Sequence, residues 1–213
     1  MAIQNLDLEE QEQLAALKGW WKDNANLVLG AIAGVAFSVA AWQGWNWYQR
    51  TQALQASALY ETLSKAIRTS DAKAVRDAGG ALAESYPRTL YASMGALASA
   101  RFYFDRNDVK AAKAQLQWVI DRSSSDELRD IARLRLAALL LDEKAHDEAL
   151  VQLEAGHGEP FAAPFAALKG DVLVAKGRSA EAKAAYTLAL EKAEKGNEAF
   201  RASVQLRLDA LGG

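Results

Sequence analysis

The sequence predicts an all-α chain in which a single N-terminal transmembrane helix is followed by paired helices stacked as a repeat. Three observations carry this. Residues 24 to 49 form a run of 26 positions without Asp, Glu, Lys or Arg. After Arg50 the chain is alanine-rich, with apolar residues recurring three and four apart, the spacing of a helix face. There are only three prolines in 213 residues, and no alternating run of β-branched residues that would read as strands. With 51% hydrophobic and 24% charged residues the composition is that of a folding chain and not of a disordered one.

The first element is the span. Its apolar heart runs from Leu27 to Trp42, and crossing ~30 Å of hydrocarbon takes about 20 mostly apolar residues. Trp20 and Trp21 stand on one side, and Trp42, Trp45, Trp47 and Tyr48 on the other. From Trp21 to Trp42 is roughly 31 Å at ~1.5 Å per residue, so five of the six tryptophans fall where interfacial aromatic belts belong. The segment before the span holds Asp7, Glu9, Glu10, Glu12 and Asp23 against Lys18 and Lys22. That acidic balance is the reverse of a signal peptide's positive start, and an uncleaved anchor is expected. The organisation expected is a short cytoplasmic tail at 1–24, the transmembrane helix at 25–48 and a helical domain at 49–213. Lys18 and Lys22 flank the span closely, which favours a cytoplasmic N-terminus and places the domain outside. Within the span, Gly30, Gly34 and Ser38 form a small-residue stripe at four-residue spacing, the pattern that lets a second helix backbone approach. Leu6, Leu8, Leu14 and Leu17 with the two tryptophans form an amphipathic run, read either as a short interfacial helix or as a mobile tail.

The soluble part is read next. Leu54, Leu59, Tyr60, Leu63 and Ile67 continue a helix, which Ser70-Asp71 breaks and caps for a following helix ending near Tyr86-Pro87. Further helices are expected at 88–105, 108–122, 126–142, 146–155, 163–176, 179–193 and 197–211. Each break supplies glycine, a capping residue or both.

These helices come in pairs. Between Ala166 and Ala189, Gly170 and Ala182 take small positions where two helices cross, and Tyr186 and Ala189 follow. Antiparallel helices cross closely only where side chains are small, and larger residues fill the spaces beside the crossing. This unit resembles a tetratricopeptide repeat. An earlier unit puts Ala137, Leu140, Ala149 and Leu153 in those roles. A third puts Ser99, Phe102 and Ala111 there, with Trp118 where a small residue is usual. The spacings Ala111–Ala149 and Ala149–Ala182 are 38 and 33. In such a stack the first helices of each pair line a concave, protein-binding face. In this register Tyr103, Leu134, Leu141, Asp171 and Val174 point toward it.

Catalytic and metal chemistry find little material. There is no cysteine, and His146 and His157 are the only histidines. Asp142-Glu143 and Asp147-Glu148 around His146 fit a helix end and an acidic first turn better than a metal or proton-transfer site. Gly156-His157-Gly158 reads as a connector. No cofactor, metal or catalytic residue is assigned. The net charge of −2 excludes a broad nucleic-acid surface, and Arg129, Arg133 and Arg135 sit among acidic neighbours as a pair-forming face.

Nearly end to end, the chain is similar to the YfgM family of ancillary SecYEG translocon subunits. The similarity rests on residues 12–24 with Trp20-Trp21-Lys22-Asp23-Asn24, the single span, and Trp45-Asn46-Trp47-Tyr48-Gln49. It rests also on Tyr91 to Ala100, Arg133-Leu134-Arg135-Leu136-Ala137, and Lys169 to Gly177. The resemblance implies an inner-membrane protein with a short cytoplasmic tail and a periplasmic, tetratricopeptide-like solenoid. Its implied partners are the SecYEG translocon and a membrane-anchored periplasmic chaperone of the PpiD type, with membrane lipids around the span and newly translocated clients nearby. The function expected is that of a non-catalytic tethered scaffold. A scaffold for cell-wall or outer-membrane assembly is the alternative, and a membrane-anchored enzyme a lesser one.

Overall fold

In a computed structural model the described residues are 8–212, with side chains from residue 10 onward. They are helical throughout, with no strand. Nine α-helices follow in order: α1 Leu8–Arg68, α2 Ala72–Ser85, α3 Leu90–Asp105, α4 Val109–Arg122, α5 Asp126–Asp142, α6 His146–Glu154, α7 Ala162–Ala175, α8 Ser179–Lys192 and α9 Glu198–Asp209. Every helix read after Ser70 is present, and its ends agree within two residues. The addition is one 3₁₀ turn at Glu159–Phe161. Pro160 is its second residue, within the first turn where a residue lacking an N–H costs least.

The chain divides between Thr51 and Gln52 into two compact units. In the first, α1 is unbroken, so the amphipathic run from Leu14 to Trp21 is the beginning of that helix and neither a separate interfacial helix nor a mobile tail. Leu6 and Asp7 lie outside the described residues. The charge-free stretch is long and apolar enough to cross a membrane, and none of its most apolar window is buried. Phe37 is 77% exposed, and Trp20, Trp21, Trp42, Trp45 and Trp47 are all exposed. Polar side chains in and beside the stretch turn back on their own helix. Ser38 Oγ donates to the Gly34 carbonyl at 2.9 Å, Asn24 Nδ2 to Trp20 and Thr51 Oγ1 to Trp47. Each of these bonds is made within the helix and needs no water.

The second unit is a stack of hairpins. The end of α1 meets the end of α2 where Tyr86 Oη donates to Gln55 Oε1 at 3.0 Å; α3 pairs with α4, α5 with α6 and α7 with α8, and α9 closes the series against α8. Four bends join the pairs, and each is built alike. Its central residue is left-handed: Ser70, Asn107, Lys144 or Gly177, with φ between 56° and 72°. The next residue, Asp71, Asp108, Ala145 or Arg178, donates its N–H five residues back, to the carbonyl of Ala66, Tyr103, Leu140 or Leu173. This is a helix C-cap in which the bend itself absorbs the last carbonyls. Asp71, Asp108, Thr89, Ser125 and Asn197 cap the helices that follow them, each accepting a backbone N–H at 3.0–3.3 Å.

The bends fix the repeat register. They lie 37, 37 and 33 residues apart. Seven residues before each bend stand Leu63, Ala100, Ala137 and Gly170, and five after it Val75, Ala112, Ala149 and Ala182. The latter four are fully buried. This corrects the unit read as Ser99, Phe102, Ala111 and Trp118, which lies one residue out of step. Its true members are Ala100, Tyr103, Ala112 and Val119. It also adds a fourth hairpin, whose first helix the sequence shows only as the continuation of the membrane helix. Side-chain volume alternates at the crossings. A Cβ on Gly170 would collide with the ring of Tyr186, whereas the preceding hairpin sets Ala137 and Leu153 at the same two places. Across the first two hairpins, a Cβ on Gly95 would come within 2.9 Å of Leu82 and 3.1 Å of Leu63. Glycine there is what lets α3 close on α1 and α2.

Candidate functional site

An apolar recess of about 690 Å³ lies between α3 and α5, the first helices of consecutive hairpins. Met94, Ala98, Arg101 and Phe104 of α3 form one wall. Leu128, Ile131, Arg135, Ala138 and Asp142 of α5 form the other. Tyr60 of α1 reaches the end near Met94, and buried Leu97, Leu116 and Leu139 make the floor. The helix period places these side chains together: on α3, positions 94, 98, 101 and 104 advance by four, three and three residues along one face.

The five residues read as concave fall in three settings. Tyr103 is 9% exposed and belongs to the core, edge-on to Phe102 at 5.6 Å between centroids. The one-residue slip in register explains this. Phe104, three before its bend as Leu141 and Val174 are before theirs, is the surface residue at 40% exposure. Leu134 and Leu141 are half-buried against the core. Asp171 is engaged within the chain, where Tyr186 Oη donates to it at 2.8 Å and Arg207 Nη1 at 2.8 Å. Burial and the carboxylate together push the Tyr186 hydroxyl well above the usual tyrosine range. Asp171 thus holds α9 onto the last hairpin. Val174 remains exposed. Phe104 is the recess residue a correct alignment of the bends would have found, and Arg135, expected on a pair-forming face with Arg129 and Arg133, lines the recess instead, whereas the other two do form pairs.

Titratable groups elsewhere serve structure. Asp147 pairs with Lys176, which holds its carboxyl below the usual range, and Glu143 pairs with Lys113. Arg129 pairs with Asp126, and Arg133 with Asp130. Asp130 is 2% exposed and also accepts the Gly158 N–H at 2.9 Å, pinning the connector after α6. The His157 ring lies 4.5 Å from that of Phe165. No cluster of metal-ligating side chains occurs among the described residues.

Residues 18–213 match the family described as a tetratricopeptide repeat-like domain. A protein of Haemophilus influenzae named ancillary SecYEG translocon subunit is 31% identical over 96% of this chain and 98% of its own. One of the same name in Escherichia coli is 31% identical over 83% of this chain and 85% of its own. A third, in Neisseria gonorrhoeae, is 30% identical over 96% and 98%. No solved structure matches. The family match takes in both the apolar helix and every hairpin, the relatives align almost end to end, and the chain accordingly belongs to the YfgM family of ancillary SecYEG translocon subunits.

Proposed function

We propose that this protein is a non-catalytic scaffold of the Sec translocon. It is held in the inner membrane by residues 25–48, with residues 1–24 in the cytoplasm and the hairpin stack in the periplasm. The observation that supports this most directly is that relatives aligned over 96% of the chain are named as ancillary translocon subunits. An apolar stretch of α1 with none of its most apolar window buried fits an anchor whose surroundings are lipid or another membrane helix. Tethering restricts the domain to the membrane plane, where a weak contact is strengthened by about 10²-fold or more through effective concentration. Leu134, Leu141 and Val174, with the α3–α5 recess, form the partner-facing surface in this reading. A membrane-anchored periplasmic chaperone of the PpiD type is the partner proposed alongside the translocon. Gly30, Gly34 and Ser38 form the packing face within the membrane, and a Cβ on either glycine would meet nothing within the chain.

Purification in mild detergent after photocrosslinking from Gly34 and from Val174 tests the reading. Recovery of translocon subunits from the first position and of the chaperone from the second is expected. Recovery of cell-wall enzymes in their place, or a C-terminal reporter lying in the cytosol, overturns it.

A further inference from the structure

The α3–α5 recess has a polarity along its length. Phe104 and Asp142 stand at the end nearest the bends, Arg101 and Arg135 toward the middle, and Met94 and Ile131 at the far end. Arg101 is committed to Asp105 one turn along its own helix. Arg135 and Asp142 have no hydrogen-bond or ion-pair partner among the described residues. They lie seven positions apart on α5, two helical turns or about 10 Å.

The last hairpin shows what closes such a trough. Asp171, six residues before its bend, is paired with Arg207 of α9. Six residues before their own bends, α3 carries Arg101 and α5 carries Ala138, neither a carboxylate, and Arg135 stands three residues earlier on α5. Asp105 neutralises Arg101, so Arg135 is the unmatched cation of the trough and Asp142 its unmatched anion, and no cross-helix pair closes it. Ala98 and Ala138 then keep the opening shallow-walled, as a docked helix needs for close approach.

We infer that this recess docks an amphipathic helix of a partner protein. That helix presents a carboxylate to Arg135, a basic residue to Asp142, and apolar side chains between them. Docked antiparallel to α3 and α5, so that its dipole opposes theirs, it carries the basic residue seven positions before the acidic one. Apolar anchors supply affinity, and the two charges set direction and register. The inference rests on the scaffold reading above and specifies the partner chemistry of its concave side.

The test uses the full-length protein in lipid nanodiscs and a fluorescent helical peptide of about 18 residues. Its apolar face is leucine and alanine, with lysine seven positions before glutamate. A second peptide exchanges the two charges. Tighter binding of the first peptide is expected. Arg135→Glu should weaken it about tenfold or more, and replacing the peptide's glutamate by lysine should recover binding to that variant. Asp142→Lys provides a second charge test, and Ala138→Trp fills the trough. Thermal unfolding by circular dichroism confirms that each variant folds. Equal binding of both peptides, preference for the reversed one, wild-type affinity in the folded charge variants, or competition by plain phospholipid vesicles overturns the proposal. Co-isolation of the wild type with the translocon is scored separately. Co-isolation without peptide binding sinks the recess alone, and peptide binding without co-isolation sinks the scaffold reading alone.

Discussion

Tyr186 Oη lies 2.8 Å from Asp171 Oδ1 across the α7–α8 crossing, and the same carboxylate receives Arg207 from α9. One acidic side chain therefore joins three helices. Tyr186 is only 2% exposed, so removing Asp171 leaves a buried hydroxyl and a stranded guanidinium. Asp171→Ala should cost about 2 kcal/mol, against about 1 for Tyr186→Phe, which leaves the Arg207 pair intact. Urea unfolding of the two variants measures both. The same pair sets an alkaline limit. Burial raises the Tyr186 pKa above its ordinary value of 10.0. The folded state holds that proton more tightly, so the contribution is complete below pH 10 and is lost as pH climbs beyond it. Stability of the wild type should fall between pH 10 and 11.5 by more than that of Tyr186→Phe.

Gly170→Ala forces a methyl group into the Tyr186 ring and should cost about 1–3 kcal/mol. The preceding hairpin accommodates alanine there by setting Leu153 where Tyr186 stands. Gly170→Ala with Tyr186→Leu should accordingly destabilise by less than the two changes summed. A double-mutant cycle reads the coupling, and strict additivity would show that the two positions do not share one space.

Lys144 bends the α5–α6 hairpin with φ 62°, a conformation glycine adopts freely and other residues do not. Lys144→Gly should stabilise the protein by about 0.5–1 kcal/mol, and Gly177→Ala should destabilise it by a similar amount. No atom crowds Gly177, so the second change isolates the backbone term. Opposite shifts in Tm are expected.

Asp130→Ala removes the acceptor that holds the Gly158 N–H. It should cost about 2 kcal/mol and expose the Gly156–Gly158 connector to proteolysis. Limited digestion followed by mass spectrometry of the fragments locates the cut. A digestion pattern unchanged from wild type would mean that Asp130 does not secure the connector.

Gly34→Ile adds bulk where the chain itself has open space. The melting curve of the hairpin stack should not move, while photocrosslinking to the translocon from the neighbouring helix face should fall several-fold. A parallel loss of stability would show that the glycine serves the fold instead.

The helices themselves were legible because alanine-rich, three-and-four periodicity and capping residues such as Asp71, Asp108 and Ser125 are local signals. The register of the second hairpin was not. Ser99-Ala100 and Ala111-Ala112 are pairs of small neighbours, so side-chain size alone allows two alignments one residue apart. The backbone hydrogen bond from Asp108 to Tyr103 decides between them, and a sequence does not display it. That slip moved Tyr103 to the surface and hid Phe104. The tripartite contact of Asp171 was equally invisible, because Arg207 lies 36 residues away and nothing local points to it. The first hairpin escaped notice for another reason. Leu63 stands where the other three units carry alanine or glycine, and its bulk is accommodated by Gly95 on the next hairpin.

Four bends of one shape carry serine, asparagine, lysine and glycine. What joins the two helices of each unit is a pattern of carbonyls and amides, which side chains as different as these accept at differing cost. An array built this way can grow or shrink by whole units, because a splice made at one bend inherits the exit angle of every other.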